Sequence, residues 1–171
     1  MTADIGTENR GSTTTRGPVD LVRQAAAPIV AGLMLLVSLV GPGWLYVPAN
    51  PAAHMPEVTL TFNDLHDLAR SGLAPTNSIQ QAYFGWLGWA LALTTVAVAL
   101  AAALLRWRLL VLAAGALAVA GLVCTAFGVK GVLSWSQLID QTENVRPGAY
   151  LVVAGYLTAL GGAAILARRR S

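Results

Sequence analysis

Four stretches of this chain, residues 25–47, 82–105, 109–129 and 149–167, contain no Asp, Glu, Lys, Arg or His. Each is 19 to 24 residues long, which at a helical rise of about 1.5 Å per residue gives roughly 28 to 36 Å against a hydrocarbon core of about 30 Å. Each is long enough to span a bilayer, so the expected fold is an all-α membrane protein built as a four-helix transmembrane bundle. The same emptiness limits chemistry, because proton relays, ion pathways and intramembrane catalysis use ionisable groups inside the spans. Specific function is pushed out of the bilayer and onto the loops.

Composition agrees. The 171 residues are 56% hydrophobic and 11% charged, whereas soluble domains carry about a quarter charged residues. A net charge of +3 from 11 basic and 8 acidic residues is too small an excess for nucleic acid, and the basic residues flank the spans rather than cluster for phosphates. The single cysteine, Cys124, lies inside the third run, which excludes an intrachain disulfide. Thiol exchange of the membrane disulfide-forming kind needs cysteine pairs, and claudin-like proteins carry a pair in their first outer loop; neither pattern is present. Cys124 reads as a small apolar packing residue.

Charge sets the expected orientation. With the N terminus in the cytoplasm, Arg10, Arg16, Arg23, Arg106, Arg108, Arg168, Arg169 and Arg170 fall inside, and Arg70, Lys130 and Arg146 fall outside. That asymmetry makes both termini cytoplasmic by the positive-inside rule, with the plasma membrane as the setting. Trp44, Tyr46, Tyr83, Trp86 and Tyr150 gather at the proposed outer boundary and Trp107 at the inner one, where amphipathic rings prefer the headgroups. A cleaved signal peptide is the competing account of the first run. It is disfavoured by the length of the run and by bulky Trp44 and Tyr46 where a cleavage site needs small residues.

Along the chain, residues 1–20 hold almost no large apolar side chains and read as a flexible cytoplasmic tail; residues 21–171 form the membrane domain, with spans at about 25–47, 79–105, 109–129 and 149–167. The Ser12-Thr13-Thr14-Thr15 run reads as solvated tail rather than as a phosphorylation site. Gly41-Pro42-Gly43 should loosen or kink the first span at its outer end. The outer loops, 48–78 and 130–148, should form a small extracytoplasmic cap. In the first, Val58 to Thr61 has strand character, and Thr61-Phe62-Asn63-Asp64 resembles a capping box opening a helix from Phe62 to Ser71 that stops at Gly72. Ser78-Ile79-Gln80-Gln81 is a second such box, placing the start of the second membrane helix near Ser78. Arg106-Trp107-Arg108 is so short a link that the second and third spans must form an antiparallel hairpin. Ser134-Trp135-Ser136-Gln137 predicts another short helix, and Pro147-Gly148 introduces the last span.

Helices in lipid associate where small residues allow close approach. The last span offers Gly155, Ala159, Ala163 and Ala167 as helix-packing positions, the third Ala114, Ala118, Gly121 and Thr125, and the second Gly88 and Ala92. No internal repeat supports an inverted-repeat transporter.

The only cluster with metal or acid–base character is His54, Asp64, His66 and Asp67 in the first outer loop. Asp64 and Asp67 share a helical face, but His66 points away from Asp64 and the spacing fits no standard zinc site. They read as loop surface; no metal, cofactor or catalytic residue is expected. Asp140 and Glu143 are also spaced for one helical face, with Arg70 or Arg146 as docking partners across the loops. Phosphate loops, nucleophile elbows and metalloprotease motifs are absent from the sequence. The Arg168-Arg169-Arg170 end reads as a stop and orientation signal, with attraction to anionic lipid as its lesser role.

The function that fits is a non-enzymatic accessory or scaffold subunit of an envelope or membrane complex. It would bind a membrane or extracytoplasmic protein partner through the outer loops, with Phe62, Leu65, Leu68 and Trp135 as contact residues. A homo-oligomeric transporter or channel subunit for an apolar or lipid-like substrate is one alternative, and a membrane enzyme using the outer His and Asp residues is another. Arg-biased ends, Ala/Val/Leu spans and the loop element Thr59-Leu60-Thr61-Phe62-Asn63-Asp64-Leu65 resemble the uncharacterised four-span membrane proteins common in actinobacteria. The resemblance is compositional over the full length and implies an envelope setting without an activity.

Overall fold

The computed structural model describes residues 18–72, 75–105, 107–140 and 142–168; the tail up to residue 17 and Arg106, Arg169 and Arg170 of the charge pattern lie outside them. Helix α1 runs Pro18–Val40. Strands β1, Leu45–Val47, and β2, Val58–Leu60, follow as an antiparallel pair with Leu45 opposite Leu60 and Val47 opposite Val58. Helix α2 is Phe62–Ser71, α3 is Ser78–Leu105, α4 is Arg108–Lys130, α5 is Trp135–Asp140 and α6 is Pro147–Arg168. Three of these, α3, α4 and α6, are long and apolar enough to cross a membrane.

The first apolar run departs from expectation. It is not helical through residue 47: Gly41 closes the last turn on the Val37 carbonyl at 2.9 Å, the chain bends at Gly41 and Pro42, and Leu45-Tyr46-Val47 becomes β1. The cause is local. Gly and Pro end the helix, and aromatic and β-branched side chains suit a strand. The helix extends backward instead, to Pro18, so its 23 residues are about 34 Å long, while its apolar part is only Ala25–Val40.

Helices α1, α3, α4 and α6 close into a ring in which α1 packs on α6, α6 on α4, α4 on α3 and α3 on α1. Neighbours run antiparallel. Gly155 faces Leu35 while Gly162 faces Ala27, and Gly121 faces Tyr156 while Gly115 lies near Leu160 and Ala163. Small residues at these contacts let the helix backbones approach closely. Ala114, Ala118, Thr125, Ala92, Ala159 and Ala163 are all buried. At Gly155 a side-chain carbon would come within 2.8 Å of Leu35 Cγ, so this position faces α1 within the chain, while Ala163 packs with Ala99, Val111 and Ala114.

Arg108 and Arg168 therefore lie at one end of the bundle and Arg70, Lys130 and Arg146 at the other. At the latter end the loops form the cap, with α2 delimited by residues legible in the sequence. Thr61 caps its N terminus through a complete capping box with Asp64, and Gly72 ends it in the left-handed conformation at φ 69°. The second expected box is replaced by a single cap one residue earlier: Asn77, not Ser78, caps α3, its side-chain oxygen accepting from the Gln80 N–H at 2.7 Å. Ser134 and Gln137 cap α5 reciprocally, at 2.9 and 3.3 Å.

Candidate partner-binding surface

The cap is keyed into the bundle by aromatic rings. Trp44, just beyond α1, packs against Phe62 of α2 with ring centroids 5.2 Å apart and against Phe84 of α3 at 6.0 Å; Phe62 and Phe84 are 5.4 Å apart. Edge-on contacts at this spacing match the positive rim of one ring to the negative face of another. The Trp44 indole N–H donates to the Ser38 carbonyl at 2.6 Å. Backbone bonds from Trp44 N to the Leu60 carbonyl, from Arg146 N to the Trp44 carbonyl and from Gly148 N to the Gly43 carbonyl tie both loops to this point. Two rings expected at the membrane boundary are thus interior: Trp44 and Tyr83 are 2% and 0% exposed. Trp86, Tyr150 and Trp107 are exposed.

Tyr83 to Leu87 form a wider π-helical turn in α3. His66 of α2 reaches it, with Nδ1 2.9 Å from the Phe84 carbonyl. A carbonyl only accepts, so this contact places the proton on Nδ1. Below it, Thr125 donates to the Gly121 carbonyl at 2.7 Å, leaving the Tyr83 hydroxyl to donate to Thr125 Oγ1 at 2.7 Å. Asn77 Nδ2 donates to the Gly131 carbonyl at 2.7 Å and joins the start of α3 to the end of α4.

The four loop residues with metal or acid–base character have separate tasks. Asp64 accepts from the Thr61 backbone N–H at 2.8 Å and from the Thr61 hydroxyl at 2.7 Å, and these bonds hold its carboxyl below the usual range. His66 serves the Phe84 carbonyl. His54 sits in a tight turn at φ 55°, its Nδ1 3.2 Å from the Pro51 carbonyl, and Asp67 is exposed. Among the described residues no three His, Cys, Asp or Glu side chains form a group able to hold a metal ion.

Of the contact residues expected from sequence, Phe62 is 1% exposed and belongs to the core. Leu65 and Leu68 are half-buried, Leu65 packing against that core. The helical face they share is turned to the bundle, because an apolar face beside an aromatic cluster is buried first. Trp135 alone is open, at 51%. It stands edge-on to Phe127 at 5.9 Å with Lys130 Nζ 5.5 Å from its ring. Ile139, four residues on and so on the same helical face, is also exposed, as is Val132. Beneath α5, a furrow of about 380 Å³ runs between α4 and α6, lined among others by Leu122, Leu138, Val145 and Val153. On the hairpin side, Tyr46 donates to Glu57 Oε2 at 2.6 Å. That carboxylate raises the Tyr46 pKa, and the Arg146 guanidinium lies 4.4 Å over the Tyr46 ring. Ile139 was available from its spacing to Trp135; the inward turn of Phe62 was not, since it depends on rings distant in the chain.

No protein-family model matches the chain, and no curated protein or solved structure matches it.

Proposed function

We propose that this chain is a four-span protein of the plasma membrane with both termini cytoplasmic. It serves as a non-enzymatic accessory or scaffold subunit of a cell-envelope or membrane complex and binds a membrane or extracytoplasmic protein partner through its outer cap. The observation that carries this reading is the apolar face of α5: Trp135 and Ile139, with Val132 just before the helix, are exposed on a cap whose Trp44 and Phe62 rings are buried. Large apolar side chains held in the open by a fixed scaffold form a docking surface. In this reading α1 spans with the other three helices, which its antiparallel place in the ring supports.

A conduit for an apolar substrate is the weaker reading. The space enclosed near Pro28, Ala99, Ala114 and Ala163 is about 10 Å³, about the least that holds one water. Mild-detergent purification after crosslinking in native membranes tests the proposal. A discrete heteromeric complex that is lost in Ile139→Asp supports it; recovery of the monomer alone contradicts it.

A further inference from the structure

We propose that one buried water molecule binds between the hydroxyls of Tyr156 and Tyr83 and links α6 to the hairpin of α3 and α4. Tyr156 is 0% exposed, and among the described residues its hydroxyl has no hydrogen-bond partner. Leaving such a group unsatisfied costs its full desolvation penalty, and a bilayer core offers no bulk water to relieve it. The other buried side-chain atoms in this condition are Thr95 Oγ1 and Gln80 Oε1. Thr95 needs no ligand, because a helical threonine can turn its hydroxyl to the carbonyl four residues earlier, as Thr125 and Thr158 do. Gln80 lies at the cap end of the bundle, beside Gly131. The Tyr156 hydroxyl stands at the tip of a rigid ring and cannot fold back on its own helix.

One turn of α4 gathers the groups. The Tyr156 ring lies on Gly121, where a Cβ would collide with its Cε1 and Cζ, and Cζ carries the hydroxyl. The Gly121 carbonyl accepts from Thr125 Oγ1, which in turn accepts from the Tyr83 hydroxyl, each at 2.7 Å. Both tyrosines therefore meet α4 at the same residue, and they lie close enough to interact electrostatically. The Tyr83 proton is committed to Thr125, but its oxygen keeps acceptor capacity. Water supplies what is lacking: it accepts the Tyr156 proton and donates one of its own to the Tyr83 oxygen. Ala92 and Ala118 share this core and have no polar group to take its place. With Tyr83 and Tyr156 at 0% and Thr125 at 2% exposure, the site is closed to lipid and to bulk solvent, which suits a small molecule enclosed as the helices pack. Buried waters that bridge otherwise unsatisfied groups are part of a fold. The site is independent of the partner proposed for the cap.

The test uses the full chain. A crystal structure grown from lipid, at a resolution that shows ordered water, should place one oxygen about 2.7–2.8 Å from both hydroxyls. In mild detergent, Tyr156→Phe should lower Tm by about 2–4 °C, the loss of one hydrogen bond in a chain of this size. Tyr83→Phe combined with Tyr156→Phe should lower it by less than the sum of the two single losses, because either change breaks the same bridge. A Tyr156→Phe protein as stable as wild type or more stable overturns the proposal, as do strictly additive losses. So does density that shows no water between the rings, or a Tyr156 hydroxyl bonded directly to a protein group. The crystal structure needs no variant, so it remains decisive if a substituted protein fails to fold.

Discussion

Phe62 and Trp44 meet edge to face, with ring centroids 5.2 Å apart and planes at 63°, and this contact joins the cap to the bundle. Phe62 is the first residue of a helix fixed by its own capping box, while Trp44 is held by the Ser38 carbonyl. Each ring is thus positioned by its own segment as well as by the other ring.

Removing the Phe62 ring should release α2. Phe62→Ala is expected to cost about 3–5 kcal/mol, the usual range for deleting a buried aromatic side chain. Thermal unfolding in detergent should show a lowered Tm, and limited proteolysis should cut earlier near Gly72. Phe62→Leu should retain much of the stability.

Acid should loosen the first turn of α2. The Asp64 pKa is lowered in the folded state by its bonds from Thr61, so its contribution is present above the unfolded value of about 4 and is lost as pH falls through the lower folded value. Hydrogen exchange at the Asp64 and Leu65 amides should speed up in that acid range. Asp64→Asn should flatten the profile; an unchanged profile would remove the carboxylate from the account.

A methyl group at residue 128 should disturb α3 against α4. A Cβ there would lie 2.6 Å from Tyr83 Cδ1, so Gly128→Ala must displace the ring and its bond to Thr125, at about 1–3 kcal/mol for an overpacked contact. At Gly161 nothing lies within 4 Å of such a carbon, and Gly161→Ala should leave Tm unchanged or slightly raised. Equal losses in the two variants would contradict the packing described.

What the sequence disclosed follows the range of the forces involved. Helix α2 was legible from Thr61 to Gly72 because capping and the left-handed stop are set by neighbours three or four residues away. The hairpin of α3 and α4 was legible because its link is too short for another arrangement. Ring contacts were not, since Trp44, Phe62 and Tyr83 have the same composition whether they face headgroups or one another. Gly41-Pro42-Gly43 marked a loosening where α1 ends, but hydropathy carried the span on to Val47, because it scores Leu45-Tyr46-Val47 as membrane-like while their shape favours a strand. At the candidate site Trp135 is exposed, but Phe62 needed the tertiary fold to be assigned to the core.

Site-specific photo-crosslinking in native membranes tests the central claim most directly, with the photoreactive residue placed at Trp135, at Ile139 or at exposed Leu93 within α3. The account predicts one discrete heavier adduct from both cap positions, absent at Leu93 and lost from position 135 when Ile139→Asp is added. Adducts of equal yield at all three positions, or none at the cap, would contradict it.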